Sequence, residues 1–403
     1  MKNVFYPVAI ILILSCSLST QAQDRLHSSD YHQIRGGLSN CKNKFEQEKQ
    51  GRVAFLGGSI TRMSGWRDSI CVYLEQKFPG TEFDFIHAGI GSYGSTAGAF
   101  RLERDVLSFG VVDLLFQEAA VNDRGLNRTK SEQIRGVEGI VRHASISNPY
   151  MDIVIMHFVD QQKMSAYREG LTPEVISNHE QVASWYNIPT INLAKEVTDR
   201  IDNGEFSWED DFKNLHPSPF GQGIYAASII AFLEHSFNNN DAANVSPKKK
   251  PLPEKLDPWC YDNGYLVDIS GIKPGNGWYI NPIWAPGDGF PTRPQFLEVP
   301  MLISETATKE QLYKFKGKAI GMVVDAGPDA GSIEYKIDRG KWLRYDLRAE
   351  ASKKLHLPRY ITLASELDEQ EHVLRIRLGE DANDTGCLRI RYFYSILVIP
   401  DEY

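Results

Sequence analysis

The chain has 403 residues, 42% of them hydrophobic and 24% charged, with a formal net charge of −8. That balance belongs to a globular protein large enough for more than one domain, and it excludes a disordered, fibrous or coiled-coil chain. The absence of a basic stripe argues against nucleic acid as a partner, and the acidic balance argues against anionic lipid.

The first residues read as a targeting leader and stand outside the fold. Lys2 gives the positive end, Val8 to Leu14 a short apolar core, and Ser19-Thr20-Gln21-Ala22-Gln23 a small-residue processing site. Cleavage after Ala22 makes residues 1–22 a signal peptide and the product an exported protein, periplasmic or extracellular. A second reading takes Ile13-Leu14-Ser15-Cys16 as a lipobox, which leaves Cys16 lipidated and the protein tethered at a cell surface. No other stretch reaches the roughly 18 apolar residues that span a bilayer.

From Arg52 to Asn238, short apolar runs alternate with amphipathic stretches. Val53-Ala54-Phe55-Leu56 predicts a buried strand ending at Gly57-Gly58, and Trp66 to Phe78 a helix. Phe83 to Ile86 predicts the next strand and Ala97 to Leu107 the next helix. Val111 to Ala120 is a near-continuous apolar run, the pattern of a central parallel strand covered on both faces. Glu132 to Ser145 reads as helix, Ile153 to Val159 as strand, and Glu174 to Tyr186 as helix. Ile188 to Leu193 supplies the last strand and Pro219 to His235 the closing helix. The alternation predicts a doubly wound α/β sheet within residues 23–238, and such sheets bind ligands at the carboxyl ends of their strands.

Residues 239–256 are polar and aperiodic, and read as a linker whose lysines Lys248-Lys249-Lys250 are a solvated spacer. Within 257–403 the pattern changes to short strands: Ala319 to Val324, Ser332 to Ile337, Lys341 to Leu347, His372 to Leu378 and Cys387 to Val398. Turn sequences such as Asp338-Arg339-Gly340 separate them, which predicts a β-sandwich or jelly roll. Cys41, Cys71, Cys260 and Cys387 lie far apart and match no zinc spacing, so they read as buried thiols first and bridges second.

Three segments carry chemistry. Phe55-Leu56-Gly57-Gly58-Ser59 places a serine on a tight turn just past a strand, a pattern that also suits an ordinary loop. Ala120-Val121-Asn122-Asp123 follows the central strand, so the Asn122 amide could donate to an oxyanion over the same sheet edge, or simply end the strand in a turn. Asn214-Leu215-His216-Pro217 precedes the closing helix, and a proline-fixed imidazole could take the proton of a serine hydroxyl.

In order and spacing, these segments resemble the Ser-Gly-Asn-His (SGNH, GDSL-type) hydrolase family over roughly residues 50 to 236. The resemblance implies Ser59 as nucleophile, His216 as general base, Asn122 as oxyanion donor and a further donor amide at Ser92 or Gly91, within His87-Ala88-Gly89-Ile90-Gly91-Ser92. It implies a flavodoxin-like fold, no cofactor and no metal. Two positions depart from the family pattern. Ala120 replaces a glycine, and Lys213 stands where the family has the acid that steers the histidine. Either His216 works without a carboxylate, or Asp210, Asp211, Glu118 or Asp123 serves. The appended β domain resembles the β-rich region of some bacterial carbohydrate esterases. The implied substrate is an acylated polysaccharide or oligosaccharide that loses O-acetyl or another short acyl group.

Other polar groups read more simply. His157 ends an apolar strand, His179 lies on a helix, and His87 stands where the family often has asparagine. Glu103/Asp105 and Glu209/Asp210/Asp211 read as solvated charges, and Trp278, Trp284 and Trp342 as half-buried aromatics rather than a sugar platform. Two alternatives remain: a glycoside hydrolase using Glu118 or Asp123, and a silent carbohydrate-binding protein.

Overall fold

The computed structural model describes residues 26–238, 246–380 and 386–396, so both readings of the leader lie outside the described residues. The first domain is built on strands β1 (His32–Gln33), β2 (Gln50–Gly57), β3 (Glu82–Gly89), β4 (Leu114–Glu118), β5 (Asp152–Met156) and β6 (Thr190–Ile191). They lie in the order β1-β6-β5-β4-β2-β3. All neighbours are parallel except β1, which pairs antiparallel with β6. The chain leaves β2 to one side for β3 and returns on the other side at β4. The crevice between β2 and β4 is therefore the point where the winding reverses, the usual ligand site of such sheets.

Ten helices lie among the described residues of this domain. They are α1 (Ser39–Asn43), α2 (Ser59–Arg62), α3 (Trp66–Lys77), α4 (Ser95–Asp105), α5 (Ala120–Gly125) and α6 (Lys130–Ser147). After these come α7 (Gln161–Arg168), α8 (Glu174–Trp185), α9 (Leu193–Asp202) and α10 (Pro219–Asn238). Alternation along β4 shows why both faces must be covered. Leu115 joins the core under α4, α6 and α8, while Leu114 and Phe116 join the core under α3, α9 and α10.

The sequence reading needs correction at its edges. The run from Val111 to Ala120 is strand only at its centre, because Val111 is 62% exposed and Ala120 already opens α5. The last parallel strand is two residues long, since Asn192 caps α9 by accepting from the Lys195 amide. The described part of the linker has neither helix nor strand, yet it is not a free spacer. Lys250 pairs with the buried Asp152 at 2.5 Å, and Asn40 bonds the backbone of Lys248.

The second domain is an antiparallel sandwich. Its strands are β7 (Gly264–Asp268), β8 (Trp278–Trp284), β9 (Val299–Ser304), β10 (Gln311–Lys316), β11 (Ile320–Ala326) and β12 (Ser332–Ile337). They are followed by β13 (Leu343–Asp346), β14 (Leu357–Ala364), β15 (Glu371–Leu378) and β16 (Leu388–Ile396). One sheet runs β10-β15-β12-β13; the other runs β14-β11-β16-β9-β8, with β7 also paired to β16.

Along β11 and β16 the larger sheet is buried on both faces. Along β11, Met322 and Val324 enter the core between the two sheets, whereas Val323 enters the α4–α6 core of the first domain. Tyr394 of β16 lies 4.2 Å from Phe100 of α4 between ring centroids, and Tyr360 of β14 lies 4.9 Å from Tyr93. The two domains thus share one hydrophobic core. Trp278 and Trp284 are buried in it or in the sandwich, and cations from Lys336 and Arg377 cover the Trp342 ring. The four cysteines Cys41, Cys71, Cys260 and Cys387 are free thiols.

Candidate active site

Ser59 begins α2 directly after β2, and Gly58 before it has extended backbone. Glycine is needed at 58 because of close approach rather than unusual torsion. A Cβ there would stand 2.0 Å from Asn122 Nδ2. Asn122, in the first turn of α5 just after β4, is thereby laid against the serine turn across the reversal point of the sheet. Its amide donates to the Tyr93 carbonyl at 3.0 Å, which ties it to the segment after β3. That segment is in turn tied to β2, because the Ile90 amide donates to the Gly57 carbonyl at 3.0 Å.

His216 arrives from the loop before α10. Its Nε2 lies 2.7 Å from Ser59 Oγ, within hydrogen-bond reach. The loop is shaped by its own contacts. Ser207 caps the turn Trp208–Phe212, the Ser218 amide donates to the Phe212 carbonyl at 2.9 Å, and the His216 amide donates to Asn214 Oδ1 at 2.8 Å. Partial burial, and then the guanidinium of Arg293, push the imidazole below its ordinary pKa.

No carboxylate is among the hydrogen-bond partners of His216 in the described residues. Lys213, in the acid's place, takes a left-handed conformation (φ +81°). Asp211 accepts from the amide and hydroxyl of Ser207. Glu118 is 2% exposed and accepts from the Val121 amide, and burial pushes its carboxyl up to about 7. Asp123 is fully buried, accepting from the Ser95 amide at 2.8 Å and from His179 Nε2 at 3.0 Å. Both carboxylates of the glycoside-hydrolase alternative are therefore interior groups with structural partners. His157 is likewise buried against Glu180, and His87 is exposed.

Ser92 and Gly91 form the turn after β3, with Ser92 in the left-handed region at φ +70°. Two residues near this turn carried no local signal in the sequence. Arg101 of α4 is buried and donates to the carbonyls of Gly57 and Ala88, at 3.1 and 2.7 Å, clamping the ends of β2 and β3 together. Arg293, from the second domain, donates to Ser92 Oγ at 3.2 Å. A narrow cleft beside it is lined by Ser92, Leu126, Arg128, Tyr345 and Arg359, from both domains. Wider grooves lie at the opposite edge of the sheet, around Arg52, Asp84 and Asp113, away from Ser59.

Residues 55–224 match the GDSL-like lipase/acylhydrolase family. This segment is a GDSL-like domain. The match spans Ser59, Gly91, Ser92, Asn122 and His216 together. No curated protein matches the chain. Among solved structures, the chain is similar over both domains to a two-domain esterase (CEX) active on acetylated mannans. The TM-score is 0.73 at 21% identity, covering 92% of this chain and 99% of that one. The same esterase co-crystallised with mannopentaose gives 0.72 at 20%, covering 92% and 98%. At that identity the likeness establishes the fold alone: an α/β domain followed by the β domain.

Proposed function

We propose that the chain is an exported serine esterase that removes O-acetyl or other short acyl groups from a polysaccharide or oligosaccharide. The observation that carries this reading is the 2.7 Å approach of Ser59 Oγ to His216 Nε2 at the reversal point of a GDSL-like sheet. The substrate class rests on the likeness, over both domains, to an esterase active on acetylated mannans.

In this reading Ser59 Oγ attacks the acyl carbonyl as its proton passes to His216 Nε2. The tetrahedral oxyanion accepts hydrogen bonds from the Ser59 amide, the Ser92 or Gly91 amide, and the Asn122 side chain. Collapse expels the sugar hydroxyl, which takes the proton from His216. Water then attacks the acyl-enzyme with His216 again as base, releasing the carboxylic acid and restoring Ser59. A neutral imidazole suits the first step, and the depressed pKa of His216 keeps it neutral over more of the acid range. The base works as a dyad, oriented by its loop rather than by a carboxylate.

The test is acetate release from acetylated mannan, acetylated xylan, pectin and p-nitrophenyl acetate, comparing the protein with Ser59→Ala. A loss of about a thousandfold or more in the variant is expected. Release unaffected by the substitution removes Ser59 as nucleophile. Glycan binding with no release from any ester would instead favour a binding protein.

A further inference from the structure

We propose that Arg293, carried by the β domain, is a positioning residue of the esterase site: it braces the Ser92 hydroxyl and so holds the turn that presents the Gly91 and Ser92 amides. The inference rests on the esterase reading above. Three observations lead to it.

First, the contact crosses from one domain to the other at the turn beside the nucleophile. Arg293 Nη2 reaches Ser92 Oγ at 3.2 Å, and its guanidinium lies about a van der Waals distance, 3.4 Å, from where a Cβ on Gly91 would stand. Ser92 is a non-glycine residue at φ +70°, a conformation that side-chain-bearing residues hold only when their surroundings impose it. The side-chain contact that supplies such an imposition here is Arg293.

Second, this arginine is not neutralised. Among the described residues no carboxylate pairs with it, and its Nε is buried without a partner. A half-buried guanidinium ordinarily finds an acid, because leaving its charge unmatched is costly. Here the charge acts on His216 instead.

Third, the loop that carries it is fastened at several points. It runs from β8 to β9. The His356 amide donates to the Pro291 carbonyl at 2.8 Å, and Thr292 Oγ1 donates to Asp325 at 2.6 Å. The His356 ring is held between Asp325 at 3.0 Å and Asp288 at 2.9 Å. The Phe296 amide donates to the Arg293 carbonyl, and Phe296 itself is buried. Arg293 is thus delivered to the first domain by a preorganised loop, as a positioning group must be.

The experiment uses the full chain with Arg293→Ala, Arg293→Lys, Ser92→Ala and the double variant, each checked for an unchanged melting profile. It reads kcat and KM on p-nitrophenyl acetate, a substrate too small to touch a sugar subsite. The expected result for Arg293→Ala is a kcat about 10-fold to 100-fold lower with KM within about twofold, partly restored in Arg293→Lys. The acid limb of kcat/KM should also move to higher pH in Arg293→Ala and stay in place in Arg293→Lys. If the brace acts through the Ser92 hydroxyl, the double variant is no slower than Arg293→Ala alone.

Wild-type kcat in Arg293→Ala overturns the proposal, as does a change confined to KM. Independent, multiplying effects of the two substitutions overturn it too. Ser59→Ala separates the two levels of inference. If it is inactive while Arg293→Ala is normal, only the brace fails; if it stays active, the esterase reading falls and takes the brace with it.

Discussion

Asn122 and Gly58 form a matched pair, and each limits what the other can be. With Nδ2 2.0 Å from any Cβ at 58, Gly58→Ala must push the amide off the serine turn. Asn122→Ala is expected to lower kcat roughly a hundredfold, about 3 kcal/mol, with little change in KM on a small ester. Gly58→Ala should approach the same loss although it removes no polar group. A steady-state comparison of the two checks this, and a Gly58→Ala enzyme of normal kcat refutes the pairing. His216 gives a pH prediction whose sign is fixed by its depressed pKa. Its base form persists as pH falls through about 6.5, the ordinary histidine value, so kcat/KM should hold there and fall only at lower pH. The same shift means that the folded state binds its proton less readily than the unfolded chain, so the contribution of His216 to stability is lost as pH falls. A kcat/KM limb at or above the ordinary value would contradict the burial and charge that act on the ring. These residues were legible in the sequence because each sits beside an element boundary that local pattern reveals: glycines after a strand, an Asn-Asp after an apolar run, a His-Pro before a helix. Arg293 had no such mark, since its meaning depends on a contact between two domains.

Asp123 shows how one side chain organises neighbouring elements. It receives the Ser95 amide at the start of α4 and the His179 ring of α8, while its own backbone belongs to α5, the helix that bears Asn122. Asp123→Ala leaves a helix-end amide and a buried imidazole unpaired and is expected to destabilise the fold by about 3 kcal/mol, measured by urea unfolding. A cost below about 1 kcal/mol would mean that His179 finds another partner. Strands of the first domain were readable because parallel strands covered on both faces are apolar throughout, as in β2 and β4. The short ones were not: β6 has two residues, too few for any period to show. In the second domain β8 carries Pro282 and a register shift between Asn281 and Trp284, which breaks the alternation a strand is recognised by. The helix α9 escaped notice because it follows β6 after Asn192 alone, and α7 because it is only eight residues long, opening on the Asp160 cap.

The β14-β11-β16-β9-β8 sheet serves two cores, one inside the sandwich and one against α4 and α6. Chain 26–256 produced alone would present Phe100, Ala99 and Val137 to water where Tyr394, Tyr360 and Ile303 now cover that core. It is expected to aggregate or to bind a hydrophobic dye, and the full chain to melt in one calorimetric transition. Two separate transitions, or a soluble and active fragment, would show that the shared core is dispensable. That dependence was not visible in the sequence, where the second domain looked like an appendage on a linker.

The placement of β16 bears on how the protein is made. It is the last strand among the described residues, yet it lies between β11 and β9 and also pairs with β7. While the polypeptide leaves the ribosome, the larger sheet cannot close and the apolar flank of the first domain stays uncovered until β16 emerges. A nonsense mutation just before β16 would therefore strip both domains of their cover.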